Sequence, residues 1–434
     1  MKSPLFLALL CAAAAAGQAA ADTQFRGDAA HSGVYAGPVL HQKPAVKWRY
    51  QTGDAVIGSA VVDSGTVYFG SNDGQIYALD AATGRRRWNL VTGGPVPATP
   101  AIAKGTLYVP SYDGKFYALD AANGNQRWKF ATGGERRYEA RGVHGLQPRT
   151  QTIADIFDTY LSSPTVVDGT VYFGSGDNHV YALDANTGAL RWKFKTGDVV
   201  HASPAYADGV IYVGSWDGKF YALDARDGHE RWHYQAGVDE AVHNQQGFQS
   251  SAAIVGGVVY VGCRDSHVYA FKAATGEKLW DFSTGLSWVN TTPAVRDGKV
   301  YVATSDSHLI HVLNAADGKE LYQQPAASAI WSSLSLAGDV FYVGQFNGSL
   351  EGRAVADGKV LWTFRTEAAK ANVGWVLDAA GAMNNPLLFR SAWSDQSVAA
   401  LYRQYSVGSF LASPTPGGSA LFIGSTDGAM YALE

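Results

Sequence analysis

Short apolar stretches separated by turn residues run along almost the whole chain. The stretch TVYFGSNDGQIYALDAATGRRRW, Thr66–Trp88, is typical: apolar residues alternate with small or polar ones, Asp-Gly and Thr-Gly interrupt, and a tryptophan closes the phrase. Alternation with period two predicts half-buried strands, and the interrupting dipeptides predict tight hairpins, because glycine tolerates the positive φ such turns need. Nearly the same phrase returns at Pro110–Trp128 and Gly214–Trp232.

Aligned on the tyrosine of V-Y-F/V-G, the copies fall at Tyr68, Tyr108, Tyr172, Tyr212, Tyr260, Tyr301 and Tyr342, with Phe422 as an eighth. The shortest spacing is 40 residues, as from Tyr68 to Tyr108. A period of about 40–50 residues that carries several strands predicts a β-propeller. Each copy divides into four strands, A as at Ser163–Val167, B as at Thr170–Gly174, C as at His179–Ala185 and D as at Leu190–Phe194. The last copy ends after strand C, whereas VKWRYQTG, Val46–Gly53, is a D strand with no A, B or C before it. Pairing the two closes the ring and removes open sheet edges. The expected fold is therefore all-β: an eight-bladed propeller of four-stranded antiparallel blades, closed by an N-terminal strand in the last blade. Between Tyr342 and Phe422 no further copy of the B or C pattern occurs.

Within the phrase, alanine, glycine six positions on and tryptophan four further recur as Ala78/Gly84/Trp88, Ala118/Gly124/Trp128, Ala182/Gly188/Trp192, Ala222/Gly228/Trp232 and Ala270/Gly276/Trp280. This resembles the tryptophan-docking repeat of pyrroloquinoline-quinone-type propellers, a group that includes quinoprotein alcohol dehydrogenases and BamB-like outer-membrane assembly proteins. The sixth and seventh copies depart from it, with Val312/Gly318/Tyr322 and Gly352/Gly358/Trp362. Trp48, Trp88, Trp128, Trp192, Trp232, Trp280 and Trp362 are read as structural, each packing one blade on the next.

Composition adds limits. The chain has 434 residues, is 47% hydrophobic and 17% charged, and holds 49 Gly, a mix suited to a turn-rich β protein and not to a disordered one. A net charge of −4 with no long run of one sign gives no nucleic-acid surface. MKSPLFLALLCAAAAAGQAAA, residues 1–21, has the positive start, apolar run and small-residue cleavage site of a secretory signal. The expectation is a soluble periplasmic monomer, one propeller domain over residues 22–434, that does not span the membrane. Cys11 lies inside the apolar run after Leu10, without the small residue a lipid-attachment site needs. Cleavage leaves Cys263 as the one cysteine, an inert, partly buried thiol with no disulfide partner.

In a four-stranded meander the D–A and B–C connections share one face. Three D–A connections are long, at residues 134–161, 238–249 and 367–412, and long loops on a rigid scaffold are where binding concentrates. TIADIFDTYL places Ile153, Ile156, Phe157, Tyr160 and Leu161 at helical spacing. SDQSVAALYRQY does the same with Val398, Leu401, Tyr402 and Tyr405, with Ser394 placed to cap. Residues just before the A strands should ring the channel mouth: Tyr160, His201, Gln249, Asn290 and Trp331, with Trp288 further out. Arg141, His144, Asp155 and His243 from the insertions complete the candidate binding set. The three histidines match no metal-ligand spacing. For a quinoprotein dehydrogenase the resemblance implies quinone, calcium, a catalytic aspartate and a stacking tryptophan, for which Asp155, Asp158, Asp239, Glu240, Asn244 and Trp288 are the available parts. Adjacent cysteines and a haem-attachment Cys-x-x-Cys-His are missing. Two readings follow. One is a non-catalytic propeller that binds an envelope protein or small ligand and needs no cofactor. The other is an alcohol or sugar dehydrogenase using pyrroloquinoline quinone and calcium on the same face.

Overall fold

The computed structural model describes residues 24–237, 247–388 and 390–434. The predicted leader, His243, Asp239, Glu240 and Asn244 lie outside them. Eight blades stand around one axis, seven of four strands and one of five. Blade 1 is Val61–Asp63, Thr66–Ser71, Gln75–Asp80 and Arg86–Val91, with the three-residue strand A innermost and strand D at the rim. In blade 8 the N-terminal strand Val46–Gln51 pairs antiparallel with Ala429–Leu433, Trp48 opposite Ala432. The first and last strands of the disc are thus hydrogen-bonded neighbours.

The repeated motif has a geometric reason at each position. Ala182 stands directly opposite Trp192 across strands C and D, and its small side chain leaves the indole room to lean on blade 4. There the indole Nε1–H donates to the carbonyl of Ala225 at 3.0 Å, and the hydroxyl of Tyr172 donates to the same oxygen at 3.0 Å. Gly228 lies against the indole ring: at φ +77°, a Cβ there would fall 2.6 Å from Trp192. Trp88, Trp128, Trp232 and Trp280 repeat the bond onto Ala121, Ala185, Ala273 and Ala315. In the sixth blade the Tyr322 hydroxyl takes over, donating to Val355 at 2.9 Å. Trp362 instead donates to Leu40 at 2.6 Å, because the incoming N-terminal segment lies there.

A second set of links runs around the axis. Each blade places one hydroxyl residue just before or at the start of strand A, and the backbone N–H of one donates to the hydroxyl of the next. The links run Ser59 to Thr99, Thr99 to Ser163, Ser163 to Ser203 and Ser203 to Ser251, then Thr292 to Ser333, Ser333 to Ser413 and Ser413 back to Ser59, all at 2.8–3.1 Å. Buried amides are satisfied this way without a neighbouring strand.

The N-terminal segment ahead of the closing strand fills the channel on the side opposite the insertions. The carbonyls of Ala29, Ala30, Ser32 and Gly33 accept from Tyr206, Ile254, Val295 and Leu336 on successive A strands. Val34–Tyr35 then pairs parallel with Ser335–Ala337 as the fifth strand of blade 7. Buried Arg26 donates to the Leu334 carbonyl at 2.5 Å. His31, buried and edge-on to Phe25, is held down at about 3 by burial and then by the Arg26 charge; it is neutral.

Three expected local features differ. Residues 152–161 form no helix: Thr152–Ala154 pairs as a strand with Glu139–Arg141, and Asp155 then accepts from its own Phe157 N–H at 2.8 Å. That local aspartate turn competes successfully with helix formation. The helix Ser394–Tyr405 is present, but Trp393 occupies its N-cap position, since the Ser394 N–H is drawn to the carbonyl of Gln147 at 3.1 Å. Cys263 is fully buried rather than partly, its Sγ 3.4 Å from the Gly247 carbonyl.

Comparing two glycines of similar conformation isolates the docking contact. Gly228 and Gly209 both have φ near +76°, but a Cβ at Gly209 meets nothing within 4 Å. Gly209→Ala should cost about 1 kcal/mol from backbone strain alone, and Gly228→Ala about 1–3 kcal/mol more through the clash with Trp192. Urea denaturation midpoints of the two variants check this; equal midpoints would remove the packing explanation.

Candidate functional site

The three insertions leave the same face of the disc, and the described parts of two of them clasp over the axis. Gln147 in the first and Trp393 in the third are joined by a parallel bridge, with the Gln147 N–H donating to Ala392 at 2.7 Å. Ile156, Phe157, Tyr160 and Leu401 close over Ile57, Trp331 and Leu411. Beneath them lies an axial cavity of about 50 Å3, floored by Phe25 and lined by Tyr160, His201, Gln249, Asn290 and Trp331. Five residues read from sequence as ringing the mouth therefore converge. Trp288, expected further out, does not line this cavity but the space beside Phe157 and Trp331. Arg141 is exposed on the small hairpin and joins neither group.

Two buried electrostatic knots fasten the first insertion. In one, Asp155 is fully buried and binds Arg264 at 2.6 Å through one oxygen and His144 at 2.7 Å through the other. Burial alone would raise its pKa, but the Arg264 charge and then His144 outweigh that and hold the carboxyl far below its usual range. Arg264 is itself sandwiched between indoles, its guanidinium carbon 4.3 Å from the Trp216 ring centre and 4.4 Å from that of Trp288. Tyr138 stacks on Trp216 at 4.6 Å. A planar cation suits this stack as an ammonium would not. Arg264 also donates to Gln249 at 2.9 Å, tying the axial ring to the knot.

In the other knot, His201 binds Asp158 at 2.7 Å and faces Glu135 at 3.7 Å, all three side chains buried. The remaining oxygen of Asp158 accepts from the Tyr138 N–H at 2.7 Å. The Glu135 oxygens accept from Ser175 and from the Gly176 N–H. Burial disfavours the charged imidazole, but the two carboxylates, Asp158 first, raise it to about 9.

Among the described residues, the axial cavity with Asp155 and Asp158 does not fit a bound quinone with calcium. Both oxygens of Asp155 and of Asp158 are already engaged by protein donors, so neither carboxylate is offered to a hard cation, which requires several oxygen ligands. One face of Trp288 is taken by Arg264. The cavity of about 50 Å3 is well below the roughly 150 Å3 that even a benzene-sized guest occupies.

Arg264, Trp216, Glu135 and Arg137 escape the sequence reading. For the first two a signal exists: the residue before the turn aspartate (Asn347 in blade 7) is the variable letter of a repeated phrase. It reads Asn72, Tyr112, Gly176, Trp216 and Arg264 through blades 1 to 5, then Ser305, Phe346 and Thr426. The turn aspartate is structural, as where Asp217 accepts from Gly197 and from Tyr221. The variable letter points to the insertions.

The His201 knot predicts a pH dependence. The folded pKa of about 9 exceeds the ordinary value of 6.5, so its stabilisation is complete below 6.5 and is lost as pH rises through 9. Thermal melts should show wild type losing stability across that window. His201→Gln, which leaves Asp158 and Glu135 without a cation, should melt lower at pH 6 and vary little up to pH 9. Parallel profiles for the two proteins would refute the assignment.

The family model described as outer membrane protein assembly factor BamB matches residues 42–153, 143–282 and 264–380. Among solved structures, BamB from Moraxella catarrhalis superposes with a TM-score of 0.65 at 14% identity, covering 90% of this chain and 99% of that one. The quinohemoprotein alcohol dehydrogenase from Comamonas testosteroni superposes with a TM-score of 0.68 at 14% identity, covering 95% and 80%. A europium-containing methanol dehydrogenase gives 0.65 at 14%, covering 94% and 90%. Identities this low speak to fold alone, and no curated protein sequence matches. With the ring, the docking tryptophans and a family match that spans most of the chain, the protein belongs to the BamB family of pyrroloquinoline-quinone-type repeat propellers.

Proposed function

We propose that the chain is an exported, non-catalytic binding propeller that engages an envelope protein through the face carrying its insertions, as a BamB-like assembly factor. The observation that carries this reading is the sealed axis: the insertions fill the channel mouth, and Asp155 and Asp158 serve as fasteners rather than as ligands. The outer surface of the third insertion supports it further. Trp375, Trp393 and Tyr402 are 52%, 53% and 65% exposed, and large exposed aromatics are the residues that dominate protein interfaces. Export is proposed from the leader. Among the described residues no helix is long and apolar enough to cross a membrane. His144, His201 and Gln249 then act by holding the cap in place, and the rim aromatics by touching the partner.

The dehydrogenase reading is tested directly. Equilibrium dialysis of the purified chain with pyrroloquinoline quinone and calcium should retain no quinone, and no alcohol or sugar should reduce a dye. Retained quinone with turnover would overturn the proposal. In envelope cross-linking, Trp375→Ala combined with Trp393→Ala should reduce capture of outer-membrane assembly proteins at least tenfold while leaving the melting temperature unchanged. Unaltered capture would move the docking surface elsewhere.

A further inference from the structure

Beside the sealed axis lies a second, larger space, a chamber of about 470 Å3. Three separate parts of the chain build it. Asn72 and Tyr112 come from the variable turn position of blades 1 and 2, Arg137 and Thr159 from the first insertion, and Tyr405 from the helix of the third. Four buried polar atoms on these walls make no well-formed hydrogen bond, the Asn72 Oδ1, the Tyr112 and Tyr405 hydroxyls and the Thr159 Oγ1, although Tyr112 interacts with Arg137 and Tyr405 with Thr159. Few buried polar groups in a folded protein stay unpaired, and each unpaired one calls for a reason.

Both signs of charge line the chamber. Arg137 makes no ion pair among the described residues, and its guanidinium interacts with the Tyr112 hydroxyl. The other polar walls are six hydroxyl side chains, the Asn72 amide and the carboxylate of Asp54. The remaining surface is apolar, with Ala55, Ile57, Pro95 and Pro97. A guanidinium with converging hydroxyls selects an oxyanion, proline and tyrosine walls select a flat apolar body, and the Asn72 amide oxygen and Asp54 carboxylate take a donor group on the same ligand.

We propose that this chamber binds a small aromatic carboxylate carrying a hydroxyl or N–H group. The carboxylate sits against Arg137 and the Tyr112 and Tyr405 hydroxyls, and the ring lies between the prolines and Tyr402. The four buried atoms are shielded from solvent, so binding draws the exposed side chains of Arg137 and Tyr402 at the rim into new rotamers. The ligand is held without chemistry. The site shares Tyr402 with the proposed docking surface, whereas Trp375 and Trp393 line no part of it.

The test is calorimetric titration of the full chain at pH 7 with 4-hydroxybenzoate, benzoate and phenylacetate, and with neutral 4-hydroxybenzamide. At least one carboxylate should bind at a single site, 4-hydroxybenzoate more tightly than benzoate, and the amide at least tenfold more weakly. Arg137→Gln should weaken carboxylate binding about tenfold or more, the scale of one charge-assisted contact, and Tyr112→Phe severalfold. Arg137 is exposed, so its variant should melt as wild type does. The proposal is overturned if no carboxylate binds at millimolar concentration, which would leave a solvent-filled chamber, or if the amide binds equally. Affinity unchanged by Arg137→Gln would overturn it as well.

Discussion

A backbone carbonyl that receives an indole N–H and a tyrosine hydroxyl from the blade before it, repeated at Ala121, Ala185, Ala225, Ala273 and Ala315, is the contact on which this molecule depends. The bond is modest, about 1 kcal/mol, but it fixes the angle at which two sheets meet, and the ring closes only if that angle repeats. Alanine opposite the indole, glycine beneath it and the hydroxyl links around the axis are all consequences of holding it constant. Where the indole is missing, at Tyr322, a phenol keeps the same partner carbonyl type, so the geometry outlasts the residue.

Most of this was legible before any coordinates, because repetition averages out local ambiguity. The strands around Tyr68, Tyr172 and Tyr260 and the closing strand at Trp48 lie where alternation and turn residues put them. The errors lie where the chain stops repeating. Ile153, Ile156, Phe157 and Tyr160 have helical spacing, yet Asp155 and Asp158 spend their oxygens on Arg264, His144, His201 and local amides. No periodicity reports such long-range pairing. The stopper formed by Ala29–Gly33 was equally invisible, since its bonds use carbonyls, which every residue has. Arg264 could have been noticed, as a cation standing where its repeat-mates are Asn72, Tyr112 and Trp216.

Burying Arg264, Asp155, His201, Asp158 and Glu135 under the insertions is an unusual way to fasten loops to a disc. A buried pair contributes little net stability over apolar packing, but losing one member is costly. The first insertion is therefore either docked with both knots tied or detached altogether, with few stable intermediates. That rigidity suits a surface whose aromatic side chains must meet a partner in one orientation.

The strand that completes blade 8 and the stopper in the channel both belong to the beginning of the chain, while their partners include its end. Val46–Gln51 therefore stays unpaired until Ala429–Leu433 is in place, and the disc closes only when these two strands, one from each side of the blade array, meet.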